Sequence, residues 1–349
     1  MKKVLAFLLA ASMMVMTGCS SSSETTTTTT ETTTTEAATT TEVATEEDPY
    51  ADYPNAPVQV TVQWAAGGGA DVVFRALAEV FPTYANGQPL VINNVEGASG
   101  VTGSTEFMEA TPDGYELIHI NTAHITKIHM TEVAYDSFTF EPVCMVSGSP
   151  QYLLVQADAP WETMEDLVAD AAANPGMITI GNAGIGGGDH MSAVLFEIEA
   201  GVEFAHIPFS GASGALTGLL SSEVDVITSN APTGLTNVEA GELRILTNFG
   251  ANELARFPEV GTIVDDGYDF SYDQWRGVAA PEGTPAELVE KISEIFKQCV
   301  EDPTFIQMMA DMDASAMYMD TDAFVDYLVE EDANFMQVIV DNGFGDRYV

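Results

Sequence analysis

Basic side chains are scarce in this chain. Ten Lys and Arg stand against 53 Asp and Glu, a formal net charge of −43 at pH 7. A surface this acidic offers no basic face to a phosphate backbone, which excludes nucleic-acid binding. It also opposes anionic ligands at long range, although salt screens distant carboxylates over about 8–10 Å. Cysteine is scarce too, at three residues. Cys144 and Cys299 lie in apolar patterns without a close-spaced partner, so they read as free, buried thiols rather than a disulfide. Beyond the N-terminus no apolar run approaches membrane-spanning length. Catalytic signatures are missing as well. There is no G-x-S-x-G elbow, no recognisable Ser/His/Asp order and no P-loop lysine. His119, His124 and His129 recur every five residues, which suits neither one helical face nor a zinc spacing, and they are expected at the surface or in loops. His206 falls in a strand and should be half-buried. Neither a metal nor a cofactor is expected.

The N-terminus sets the compartment. Met1-Lys2-Lys3 is a short basic region, and Val4 to Met16 is apolar but too short to cross a bilayer. The following M-T-G-C-S resembles the processing box of bacterial lipoproteins, with Met16 where that box more often has Leu. The resemblance implies a signal peptide over 1–18 and a lipidated Cys19 as mature N-terminus. Residues 20–48 are almost entirely Ser, Thr and Glu with scattered Ala and Val, and carry no aromatic residue. Such a stretch cannot bury enough surface to offset the entropy of ordering, so 19–48 reads as a disordered tether. It would span roughly 30 Å root-mean-square and about 100 Å at full stretch. The expected placement is extracytoplasmic, lipid-anchored to the outer face of the cytoplasmic membrane.

The body, from about Pro49 onward, is long enough for two domains with good cores. Helix-like and strand-like runs alternate along it, which points to an α/β fold with mainly parallel sheets. Its organising stretch is Val60 to Asp71, V-T-V-Q-W-A-A-G-G-G-A-D. An alternating apolar run ends in three glycines, and a helix-forming run follows at once, with Asp71 expected as its cap. Bare amides at a helix N-terminus favour an anion. One such loop is weak evidence, but the chain repeats it: M-I-T-I-G-N leads into A-G-I-G-G-G-D-H, from Ala183 to His190. Ligands of open parallel sheets bind beyond the carboxyl ends of strands, so two such edges facing each other make a cleft. The runs V-C-M-V-S and Y-L-L-V-Q flank Ser147-Gly148-Ser149-Pro150, which reads as a crossing between domains. Further on, Thr284, Pro285 and Glu287 form a capping-box pattern at a helix start.

Several ordered motifs carry a family resemblance: Y-P-x-x-P-V, the first Gly-rich loop ending at Asp71, T-P-D-G-Y, A-N-P-G, G-x-A-G-x-G-x-x-x-H from Gly181 to His190, H-I-P-F-x-G, E-V-D-V, A-G-E-L-R and A-P-E-G-T-P. In this order the body resembles the extracytoplasmic solute-binding receptors of tripartite tricarboxylate transporters, the TctC or Bug family. The resemblance implies a two-lobed periplasmic-binding-protein (Venus flytrap) fold, with lobe 1 formed by 49–148 plus 272–349 and lobe 2 by 149–271. It also implies two chain crossings and a ligand carboxylate gripped between two loops, largely by backbone amides. Carried over position by position, the first loop supplies Trp64, Ala66, Gly67, Gly68, Gly69, Ala70 and Asp71. The second supplies Asn182, Gly184, Gly186, Gly187, Gly188, Asp189 and His190. Ser210 with Gly211, Asp225, and Ser229 with Asn230 match stretches that approach the cleft.

The departures from the family bear on the ligand. Ala70 and Gly187 stand where the family has hydroxyl residues, and Asp189 replaces a frequent proline. Side-chain donors are lost while an acid is gained. Asp189 either caps the helix that follows or faces the ligand, where it would favour an amine. Trp64 is read as a hydrophobic floor for the ligand, the alternative being core packing. His190 is a helix-start residue that packs or caps. The expected function is a non-enzymatic, monomeric receptor that passes a small organic acid to large and small permease subunits. A ligand sensor for a signalling partner is the alternative, and a hydrolase using His190 in the same cleft ranks below it.

Overall fold

The computed structural model describes residues 48–343. The signal peptide, Cys19 and nearly all of the tether lie outside the described residues. Among the described residues, no helix is long and apolar enough to cross a membrane.

The chain opens with β1 (Val58–Val62), whose three valines are fully buried, as an interior strand covered on both faces requires. Helix α1 (Gly69–Tyr84) follows and buries Val73, Phe74, Leu77, Val80 and Phe81 along one face. Strand β2 (Leu90–Asn94) alternates buried and exposed, as suits a sheet edge. A single 3₁₀ turn, Ala98–Gly100, leads to α2 (Val101–Phe107), β3 (Glu116–Ile120) and α3 (Thr122–Met130). Next comes β4 (Glu141–Gln156), then α4 (Met164–Ala173), started by a capping box between Thr163 and Asp166. The chain continues through β5 (Thr179–Asn182), α5 (Gly188–Ala200), β6 (Ala205–Pro208), α6 (Ala212–Leu220), β7 (Val226–Asn230), α7 (Leu235–Glu239) and β8 (Leu243–Asn248). It closes with β9 (Asp273–Ala280), α8 (Ala286–Val300), α9 (Pro303–Ala310), β10 (Ser315–Met319) and α10 (Thr321–Asn342).

The sheet order is β2-β1-β3-β9-β4-β7-β5-β6, with β8 and β10 also paired to β4. The two apolar runs around Ser147-Gly148-Ser149-Pro150 are one continuous strand rather than two. From Glu141 to Pro150, β4 pairs with β9, and β10 joins its other side. From Gln151 onward it exchanges these neighbours for β7 and β8. One extended strand thus serves both halves of the sheet, and its middle is where they meet. Pairings are parallel in the outer groups, β1 with β2 and β3, and β5 with β6 and β7. Around β4 and β9 every pairing is antiparallel, so the expectation of parallel strands holds only away from the joint.

Three local expectations need correction. Helix α8 starts after Pro285 with no side-chain cap, and the Thr284 hydroxyl instead donates to the Pro281 carbonyl at 2.7 Å. Asp71 is not an N-cap: Gly68 holds that position and Asp71 lies in the first turn. His119 and His124 are buried rather than at the surface. His119 is on β3, hydrogen-bonded to Gln63 at 3.0 Å, and His124 on α3 is stacked on Tyr135 with centroids 5.1 Å apart. Cys144 and Cys299 are free, buried thiols in the core cluster that holds Phe74, Phe81 and Phe296.

Candidate functional site

The two Gly-rich loops are conformational copies. Gly67 and Gly186 both have φ of +79°, a left-handed backbone that glycine adopts without penalty. Gly68 and Gly187 then cap α1 and α5 with nearly the same extended geometry. The Gly67 amide donates to Asp71 Oδ2 at 2.8 Å, and the Gly186 amide donates to His190 Nδ1 at 3.2 Å. A side chain four residues on therefore folds each loop over its helix start, carboxylate in one and imidazole in the other. Burial pushes the Asp71 carboxyl up. Hydrogen bonds from Arg75, the Gly67 amide and Asn94, with the Arg75 charge, outweigh that and leave it below its ordinary value.

Between the loops lies a cleft of roughly 440 Å³, counting the space open to solvent at its mouth. Four helix N-termini converge on it: α1 at Gly68 and Gly69, α3 at Asn121, α5 at Gly187 and Gly188, and α6 at Gly211 and Ala212. The convergence follows from topology. Strands β1, β3, β5 and β6 each run toward the cleft and each is followed at once by its helix. Each N-terminus carries unpaired amides and about half a positive charge, so the cleft favours negative charge without surface lysines.

Its floor comes from the joint between the sheet halves. Arg276 on β9 is 1 % exposed and lines the cleft. Its guanidinium donates to Ser149 Oγ at 2.7 Å and to Asn230 Oδ1. Burial pulls this guanidinium down to about 10, against the favourable charge of Asp189. Asn230, at the end of β7, passes the link on by donating Nδ2 to Asp189 Oδ1 at 2.8 Å. Gln151, on β4, donates to the same oxygen at 2.9 Å. Asp189 is 2 % exposed, and burial raises its carboxyl above the ordinary range despite these donors, the Arg276 charge and the Ala183 amide. Its other oxygen, Oδ2, has no hydrogen-bond partner among the described residues. Asp189 does not cap α5: its side chain turns to β4 and β7 and lines the cleft.

Of the residues expected from the sequence, Trp64, Gly68, Gly69, Ala70, Gly187, Gly188, Asp189, Gly211 and Asn230 line the cleft. Trp64 also packs, partly buried, against the core cluster that holds Phe74. Ala66 and Gly67 are exposed on the first loop, and none of Ala66, Gly67, Asp71, Gly184, Gly186 and His190 lines the cleft. Asn182 is buried and accepts the Gly184 amide at 3.1 Å. Ser210 is exposed before α6. Ser229 lies between Thr228 and Asn230, both bonded to Asp189, so its side chain faces the opposite side of β7. Asp225 is a correction. It binds the Thr179 amide and hydroxyl at the far end of β7, roughly 16 Å along the strand from Asn230.

The sequence reading missed Asn121, Gln274 and Arg276. The last left a signal: it is one of only ten bases and sits inside the apolar run W-R-G-V-A-A. Among the described residues neither a histidine nor a cysteine lines the cleft. Among the described residues, no group of His, Cys, Asp and Glu could hold a metal ion.

The model of the tripartite tricarboxylate transporter family receptor matches residues 73–344. The chain belongs to this receptor family. A UPF0065 protein of Cupriavidus necator is 30 % identical to the receptor over 279 residues, covering 80 % of this chain and 85 % of the relative. Among solved structures, the periplasmic binding protein BugD is 26 % identical with a TM-score of 0.78, covering 84 % of the receptor and 99 % of BugD. An R. palustris protein solved with adipate is 25 % identical with a TM-score of 0.78, covering 83 % of the receptor and 98 % of that chain. The receptor is thus a solute-binding protein with the two-lobed periplasmic-binding-protein fold.

Proposed function

We propose that this receptor captures a small organic carboxylate outside the cytoplasmic membrane and delivers it to the large and small subunits of a tripartite tricarboxylate-type permease. The observation that carries the reading is the convergence of four helix N-termini and the buried Arg276 on one cleft. A carboxylate there gains hydrogen bonds from amides that have no partner within their own helices. The relative solved with adipate supports the ligand class. Residues 49–148 plus 272–349 form one lobe and 149–271 the other, hinged where β4 changes neighbours and where the chain enters β9. Ligand binding selects the closed arrangement, and the permease supplies the driving force. The receptor acts as a monomer without catalysis, held to the membrane by a lipid on Cys19.

Calorimetric titration and thermal shift against mono-, di- and tricarboxylates test the ligand class. A shift by at least one small organic acid is expected, and no shift together with no co-purifying acid sinks the reading. Uptake of the labelled acid should fall in cells lacking the receptor, and Cys19→Ser should release the protein from the membrane fraction.

A further inference from the structure

The two loops match in φ, in cap geometry and in the amide that folds back on itself, yet they differ at lining positions, Trp64 against Ala183 and Ala70 against Asp189. Ala70 of α1 corresponds to Asp189 of α5, each being the second residue after its glycine cap. The first jaw therefore carries amides and the Trp64 ring, and the other carries amides and a carboxylate. Arg276 leans toward the first jaw: a methyl group placed on Gly69 would stand 2.7 Å from its Nη2. Among the described residues Asp189 and Arg276 are the only charged residues lining the cleft, so its formal charge is zero, and the Asn230 amide stands between the two groups.

Asp189 Oδ1 is engaged by Gln151 and Asn230 and the nearby Ala183 amide also favours the carboxylate, while Oδ2 is buried and itself makes no well-formed hydrogen bond among the described residues. A buried carboxylate oxygen without a partner is costly, and burial accordingly raises the carboxyl of Asp189. A ligand ammonium would give Oδ2 a charge-assisted donor and add a positive charge to that of Arg276. A second ligand carboxylate would instead set like charges against each other in a desolvated site. The net charge of −43 acts in the same direction, since it repels dianions at long range and leaves a net-neutral ligand unopposed.

We propose that the cleft selects a zwitterionic amino acid, its carboxylate held by the amides of the α1 loop and Arg276, and its ammonium by Asp189 Oδ2. This rests on the receptor reading above and narrows it. The amine is the selected feature, and acids that lack it are the rejected class.

The test is a set of matched pairs: the twenty protein amino acids and L-2-aminoadipate, each beside its deaminated acid, adipate included. Thermal shift ranks them, and calorimetry at pH 7.5 measures those that bind. In wild type the amino member of at least one pair should bind ten-fold or more tighter than its deaminated partner. In Asp189→Asn that ratio should fall at least ten-fold, the range of one charge-assisted hydrogen bond. Deaminated acids binding as tightly as or tighter than their amino partners in wild type overturn the inference and leave the carboxylate receptor standing. An unchanged ratio in a folded Asp189→Asn also overturns it. Binding by neither class overturns the receptor reading and this inference with it. The wild-type comparison decides even where the variant does not fold.

Discussion

Gly67 and Gly186 share a φ of +79°, and each donates its amide to a side chain four residues on, Asp71 in one loop and His190 in the other. Their surroundings differ. A methyl group on Gly67 would meet nothing within 4 Å, whereas one on Gly186 would stand 2.9 Å from Thr126 Oγ1 and 3.2 Å from Met130 Sδ.

Gly67→Ala should therefore cost only the backbone strain, about 1 kcal/mol. Gly186→Ala should cost about 1–3 kcal/mol more, because packed neighbours must move as well. Urea denaturation of both variants measures the difference. Equal losses would show that α3 yields freely.

The helix caps have backbone conformations open to any residue, with a tight but not overlapping neighbour. Gly68 and Gly187 have φ of −78° and −68°, and the nearest atom to an added methyl group is a loop carbonyl at 3.3 Å in each case. Gly68→Val and Gly187→Val should keep most of the stability while covering the amides that follow, with ligand affinity falling at least about ten-fold. Wild-type affinity in both, measured by calorimetry, would remove the loop amides from the site.

Arg276 is the hub of the floor. Arg276→Met strips Ser149 and Asn230 of their donor and leaves Asp189 without a nearby positive charge. Removing one partner of a buried charge network costs about 3–5 kcal/mol. Denaturant unfolding of this variant, and of Arg276→Lys, should show losses in both, smaller in the lysine variant, which cannot reproduce the planar fork. A stable, wild-type-like Arg276→Met would mean that the network contributes nothing to folding.

Acid should destabilise the fold through its buried histidines. Burial brings the His124 imidazole down from 6.5 to about 4. The unfolded chain takes up this proton below about pH 6.5 while the folded chain does not. The stability His124 contributes is therefore complete above that pH and is lost as pH falls toward 4, at roughly 1.4 kcal/mol per pH unit. Between pH 6.5 and 5 wild type should lose roughly 2 kcal/mol more than His124→Phe, which keeps the stack on Tyr135. Parallel pH profiles for the two would show that His124 is protonated within the fold.

Much of this architecture was legible in the amino-acid order, because its elements are locally encoded. The V-T-V alternation before Trp64, the triple glycines, the Thr163-to-Asp166 cap and the acidic amphipathic run of α10 all act within a few residues of themselves. Both Gly-rich loops could be found, and their pairing into a cleft inferred. What stayed hidden depends on partners distant in sequence. The burial of His119 rests on Gln63, 56 residues away, and the continuity of β4 rests on neighbours it receives from β9, β10, β7 and β8.

The sequence alone settled the acidic character, the α/β alternation and the positions of two amide-rich loops, since charge count, periodicity and glycine runs need no partner. The tertiary structure decided what stands between those loops. Arg276 reads as one base in a short apolar strand until β9 pairs with β4 and brings it to Ser149 and Asn230. Asp189 reads as a helix cap until β4 and β7 draw its carboxylate inward. Their meeting through Asn230 at one cleft is set by strand pairing over more than 80 residues of chain, a distance at which no local pattern carries information.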